Sequence, residues 1–128
     1  MSKLRLREYV ERSEKRNGVF VPRPRQAAYA FGLINRAMFN DCLSRTEIQI
    51  RKLRGVWGWC YGDLHTQKND WIAINDSFPN KTHFIRVLAH EMVHQYQIEQ
   101  LGQIDHGMTF EDWNSKFRKI GIHIKKED

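Results

Sequence analysis

An α+β fold, with helices packed over one small antiparallel sheet of about three strands, is predicted by three observations. Segments 26–43, 82–101 and 109–120 carry apolar residues at helical spacing, and the stretch between the first two alternates through β-branched and aromatic residues. At 128 residues the chain is also long enough to bury one hydrophobic core, with no second needed.

The elements follow in order. Leu4, Leu6, Tyr9 and Val10 give a weak helical pattern ending at Asn17-Gly18, and 19–25 holds Pro22 and Pro24. Residues 1–25 therefore read as a basic arm and linker, and 26–128 as the folded domain. Tyr29, Phe31, Leu33, Ile34, Ala37, Met38 and Phe39 predict a buried helix over 26–43. Strands are expected at 47–54, through Ile48 and Ile50; at 56–61, with Trp57, Trp59 and Tyr61 on one side; and at 71–74. Alternating aromatics of this kind are core more often than stacking platforms. Phe84, Leu88 and Met92 recur every four residues, Thr82 is placed to cap their helix, and Gly102 stops it. Phe110, Trp113 and Phe117 mark a closing helix, with Thr109 as its cap.

Composition narrows the class. The longest uncharged apolar run, 27–34, has eight residues, far fewer than the roughly 20 that span a bilayer. The charged N-terminus lacks the apolar stretch of a secretion signal, so a cytoplasmic protein is expected, with no membrane partner. Two cysteines, Cys42 and Cys60, build neither a disulfide framework nor a zinc ribbon and are expected to pack as small hydrophobes. Net charge is +6, and its excess is all N-terminal: residues 1–54 hold 13 Lys or Arg against 5 acidic groups, residues 55–128 hold 8 against 10. Lys3, Arg5, Arg7, Arg12, Lys15, Arg16, Arg23 and Arg25, with Arg51, Lys52 and Arg54, make DNA contact through this part an expectation beside that of a solvated basic face. Glu8 with Arg12 and Glu11 with Lys15 stand four apart, so part of the run can simply support a helix.

Chemistry concentrates in His90-Glu91-Met92-Val93-His94. Two histidines four apart on a helix share one face and can bind one metal ion, while Glu91, displaced around the axis, can reach a water activated by that ion as general base. Catalytic zinc takes three protein ligands and leaves a position open. His106 is the better third candidate, because the polar, glycine-bounded 102–107 can turn the chain back. Glu111 competes from the first turn of the closing helix. His65, His83 and His123 have ordinary surface or partly buried explanations, and His83 lies two turns from His90. Tyr61, Tyr96 and Arg86 are candidates to stabilise an oxyanion, with nothing in the sequence to rank them.

Together, the run His90-Glu91-Met92-Val93-His94-Gln95-Tyr96, the downstream His106-Gly107-Met108-Thr109-Phe110 with Trp113, and the segments Trp59-Cys60-Tyr61 and Ile72-Ala73-Ile74-Asn75 resemble the SprT-like zinc metallopeptidases, the family that includes the DNA-dependent protease Spartan. The resemblance covers about 26–120 and implies a zincin-like domain with the metal motif on a central helix. It also implies zinc on His90, His94 and His106, Glu91 as catalytic acid/base, a protein substrate, and action on proteins associated with DNA. The family's C-terminal zinc ribbon has no counterpart in this sequence, which suggests a minimal catalytic domain whose basic arm replaces it. The rival expectation is a DNA-binding or adaptor module whose metal is mainly structural.

Overall fold

The computed structural model describes residues 1–126 and has four helices around a three-stranded sheet. Helix α1 spans Ser2–Glu14, α2 Pro24–Phe39, α3 Lys81–Tyr96 and α4 Met108–Arg118; strand β1 spans Glu47–Ile50, β2 Gly58–Asp63 and β3 Lys68–Ile74. The α+β class is as expected. Among the described residues, no helix is long and apolar enough to cross a membrane.

The sheet is mixed rather than antiparallel. Its order is β1-β3-β2, with β2 and β3 antiparallel and β1 parallel to β3. The connection 51–57 explains this. It rounds the C-terminal end of β3, donating from the Arg51 amide to the Ile74 carbonyl and accepting at the Trp57 carbonyl from Asn75. It thereby spans two strand spacings, roughly 10 Å, and leaves the middle position for β3. The central strand is the most apolar, with Ile72, Ala73 and Ile74 fully buried. β2 becomes an edge strand, and its Trp59 and Tyr61 lie on the outer face, half exposed, with Tyr61 stacked on Trp71 at 5.1 Å. Trp59 is thus not a core residue, whereas Trp57, in the connection, stacks on buried Phe78 at 5.5 Å.

The N-terminal segment is part of the core rather than an arm. Leu6, Tyr9, Val10 and Ser13 recur at steps of three, one and three, and all four are buried. The expected linker is pinned as well: Phe20 pairs with Phe78 through two backbone hydrogen bonds of 2.9 Å and is itself buried. Neither Glu8 with Arg12 nor Glu11 with Lys15 forms an ion pair.

Helix α3 runs through the middle of the molecule. Every residue from Phe84 to Gln95 except Arg86 is buried, so it is covered on all sides, as a helix apolar around its circumference must be. Asn80, not Thr82, caps it, its Oδ1 accepting from the His83 amide at 2.8 Å. A π-helical turn, Gln97–Leu101, extends it to Gly102, which adopts the left-handed conformation expected of a stop signal (φ 65°). α4 starts without the expected Thr109 cap; the Asp105 carboxylate instead accepts from the Gly107 amide at 3.0 Å. Phe39, Tyr96, Trp113 and Phe117 join α2, α3 and α4, with Phe39 and Trp113 at 4.3 Å. Cys60 is buried as expected, but Cys42 is exposed.

Candidate metal centre

Two ligands of the candidate centre are set by helix geometry. His90 and His94, four apart on α3, are both nearly fully buried, and their Nε2 atoms lie 3.1 Å apart. The third arrives from the loop between Gly102 and α4. His106 Nε2 lies 3.1 Å from that of His94 and 3.3 Å from that of His90, so three ring nitrogens converge on one point. Phe110, fully buried, packs against all three imidazoles at centroid distances of 4.9, 5.7 and 4.9 Å.

Hydrogen bonding on the far side of each buried ring fixes what faces inward. His90 Nδ1 lies 2.6 Å from the Lys125 carbonyl oxygen, which can only accept, so Nδ1 carries the proton. His94 Nδ1 lies 2.9 Å from Gln97 Oε1. That oxygen also accepts from the Asp105 amide, while Gln97 Nε2 donates to Asp105 Oδ1, both at 3.3 Å. His94 therefore donates through Nδ1 as well. With the proton on Nδ1, each Nε2 presents a lone pair toward the other ring, 3.1 Å away, the tautomer in which an imidazole ligates a cation. Burial lowers the His94 pKa, with the hydrogen bond to Gln97 opposing and the His106 charge reinforcing; the imidazole is neutral, the form that ligates. Tetrahedral zinc with Zn–N bonds of about 2.0–2.1 Å separates its nitrogens by about 3.3–3.4 Å. The observed 3.1–3.3 Å fits that ligand set to within a few tenths of an ångström.

Glu91 is buried beside the three rings, its Oε2 4.0 Å from His90 Nε2. Together with the histidines it lines a cleft of about 340 Å³, whose other wall is β2 along Gly58 to Cys60. The Cys60 thiol donates to Asn69 Oδ1, and burial, with Glu91 and Glu99 nearby, raises its pKa, so it stays a thiol. At Gly58, β2 packs directly on α3. A Cβ there would fall 2.8 Å from Val87 Cγ1 and 3.0 Å from both Cγ and Oε2 of Glu91. Gly58→Ala is expected to cost about 1–3 kcal/mol of stability by overpacking, measurable in denaturant unfolding; an unchanged midpoint would mean that β2 does not press on Glu91.

Glu111, the rival third ligand, is outside the cluster, its carboxylate 3.6 Å from the Lys126 amine. Of the oxyanion candidates, Tyr61 lies on the outer sheet face, Tyr96 packs on Phe39 and Trp113, and Arg86 lines a different depression. None lines the cleft. Lys126 does, and sequence reasoning missed it. It also missed Gln97, which ties the His106 loop to His94; a polar residue one turn beyond a predicted ligand was the available signal. Gln97→Met is expected to weaken metal binding by about 10- to 100-fold, as loss of such an orienting partner does elsewhere, in a competition titration against a chromogenic chelator. Unaltered affinity would show that Gln97 does not orient His94.

Neither protein-family models, nor curated proteins, nor solved structures yield a match to this chain.

Proposed function

We propose that the chain is a zinc-dependent endopeptidase, with His90, His94 and His106 holding the metal and Glu91 moving the proton. The observation that carries this reading is the convergence of three Nε2 atoms within 3.1–3.3 Å, with a buried carboxylate 4.0 Å from one of them. Bound there, zinc would supply Lewis-acid polarisation of a carbonyl and a bound water acidified to a pKa of about 7. The Glu91 carboxylate accepts a proton from the attacking water and delivers it to the leaving amine. Its burial beside Gly58 and Val87 keeps it in reach of the cleft.

Edge strand β2 forms one wall of that cleft, so an extended peptide can add to the sheet there and lay its carbonyl toward the histidines. Lys126, which lines the cleft while paired with Glu111, is the cation that would turn to a developing oxyanion. Among the described residues the metal-ligating cluster has three members rather than the four of a closed structural site, and it faces a cleft; both favour catalysis over a mainly structural metal. The motif residues and their spacing support a place among the SprT-like zinc metallopeptidases, and with it a protein substrate associated with DNA. Two unpaired thiols fit a reducing compartment, the cytoplasm.

The test is cleavage of casein and of a DNA-binding protein, the latter with and without single-stranded DNA, by zinc-loaded and chelator-treated protein. Fragments that appear only with zinc are expected. Intact substrates alongside one tightly bound zinc would replace this reading with that of a structural metal.

A further inference from the structure

Where α1, the beginning of α2 and the first residue of α3 meet, four cations and two tyrosine rings line a cavity of about 570 Å³: Arg12, Arg16, Arg25 and Lys81 with Tyr9 and Tyr29. No carboxylate lines it, and none of the four cations has one within 4.0 Å among the described residues. Folding creates the cluster: Arg12 stands on α1 and Arg16 just past its end, Arg25 lies in the first turn of α2, and Lys81 begins α3. Lys81 is packed in among the others, its Nζ 4.7 Å from the centre of the Tyr9 ring and 5.7 Å from that of Phe20. Burial, together with Arg16 and Arg12, lowers its pKa, a sign of positive charge crowded without compensation.

Of the other basic residues of the N-terminal part, Lys3 and Arg7 line a depression that has no tyrosine, and Arg5 and Arg36 line one that also holds Asp41. The cluster around Lys81 is concave, with a volume inside the roughly 300–1,000 Å³ range of small-molecule sites. Three arginines with a lysine suit phosphate oxygens, the guanidinium forks pairing two oxygens at once and the ammonium acting as a point charge. The tyrosines add a second requirement. Tyr9 is buried and meets Tyr29 edge-on, with centroids 5.8 Å apart and an interplanar angle of 63°, while Tyr29 stays half exposed and keeps ring surface open to a planar partner.

We propose that this cavity is a nucleotide-binding site, taking a phosphate on Arg12, Arg16, Arg25 and Lys81 and a base against Tyr29. The nucleotide can be free or part of a single strand, and both share this chemistry. Lys81 precedes His90 on α3 by nine residues, about 14 Å of helical rise, so a nucleotide here leaves the metal cleft open. The site does not depend on the metal reading, and metal-free protein should bind as the loaded protein does.

The experiment titrates chelator-treated protein into fluorescein-labelled hexathymidylate, followed by anisotropy, with thymidine monophosphate and tripolyphosphate as competitors. Arg12→Gln/Arg25→Gln is expected to weaken hexathymidylate binding at least tenfold and to flatten the log–log salt slope by about 1.4, two lost phosphate contacts on a single strand. Arg118→Gln/Lys119→Gln, which removes equal charge outside the cavity, should change affinity less than threefold. Tyr29→Ala should weaken the oligonucleotide severalfold and leave tripolyphosphate unaffected. Competition by the monophosphate identifies a free-nucleotide site, and binding of the hexamer alone a strand site; either outcome supports the proposal. Equal losses in the two charge variants, no effect of Tyr29→Ala, or no binding by either nucleotide probe would overturn it. Thermal unfolding checks each variant, and Arg25→Gln alone, at an exposed position, stands in if the double variant melts early.

Discussion

Replacing His106 by alanine is expected to lower zinc affinity by more than about 100-fold, beyond the 10- to 100-fold typical of losing an orienting partner. The structure makes this substitution unusually clean. His90 and His94 are buried on the central helix, so removing either would open a hole in the core; His106 is exposed on a loop. That loop is held independently of the imidazole, by Gln97 on the Asp105 amide and by Asp105 on the Gly107 amide. Unfolding of the metal-free variant should match metal-free wild type to within about 0.5 kcal/mol, as for surface substitutions elsewhere. A chelator competition gives the affinity and urea unfolding the stability. If zinc binds the variant as tightly as wild type, the third ligand is some other group and the convergence of the three rings is incidental.

Glu91→Gln should separate binding from turnover. Glutamine keeps the shape that fits against Gly58 and Val87 but cannot accept the proton, so peptide hydrolysis is expected to fall by about 100- to 10,000-fold, the usual worth of a general base. Zinc content is expected not to change, because the atoms placed to hold a metal ion belong to the three histidines. Initial rates on casein at equal metal loading measure the effect. Activity within a few-fold of wild type would remove Glu91 from the proton path and shift attention to another group in the cleft.

How much of this was legible in the sequence follows from how rigidly each feature ties spacing to space. His90 and His94 were readable because a helix fixes residues four apart on one face whatever surrounds it. His106 was weaker. Glycines and polar residues indicate that a chain turns, not where it arrives, and its position depends on the π-helical turn, Gln97 and Asp105 acting together. The α+β class followed from periodicity, but period-two alternation carries no strand direction, and the parallel pairing of β1 with β3 arises from where 51–57 crosses. Alternation does not say which face is inward either, so Trp59 was expected in the core and lies on the outer face of the edge strand. In α1 the spacing of Leu6, Tyr9, Val10 and Ser13 was present, hidden by the charge around it; part of that charge, Arg12, Arg16 and Arg25, meets Lys81 of α3 around one cavity, which a sum along the chain does not show. Gly58 and Lys126 had no sequence signal, since their parts in the cleft arise from tertiary proximity alone.

Zinc-edge X-ray absorption on the purified, zinc-loaded protein tests the centre most directly. One zinc per chain is expected, with three imidazole nitrogens at about 2.0–2.1 Å and one light oxygen scatterer, the signature of an open catalytic site. A sulfur scatterer, a fourth imidazole, or a protein that holds no zinc would contradict it.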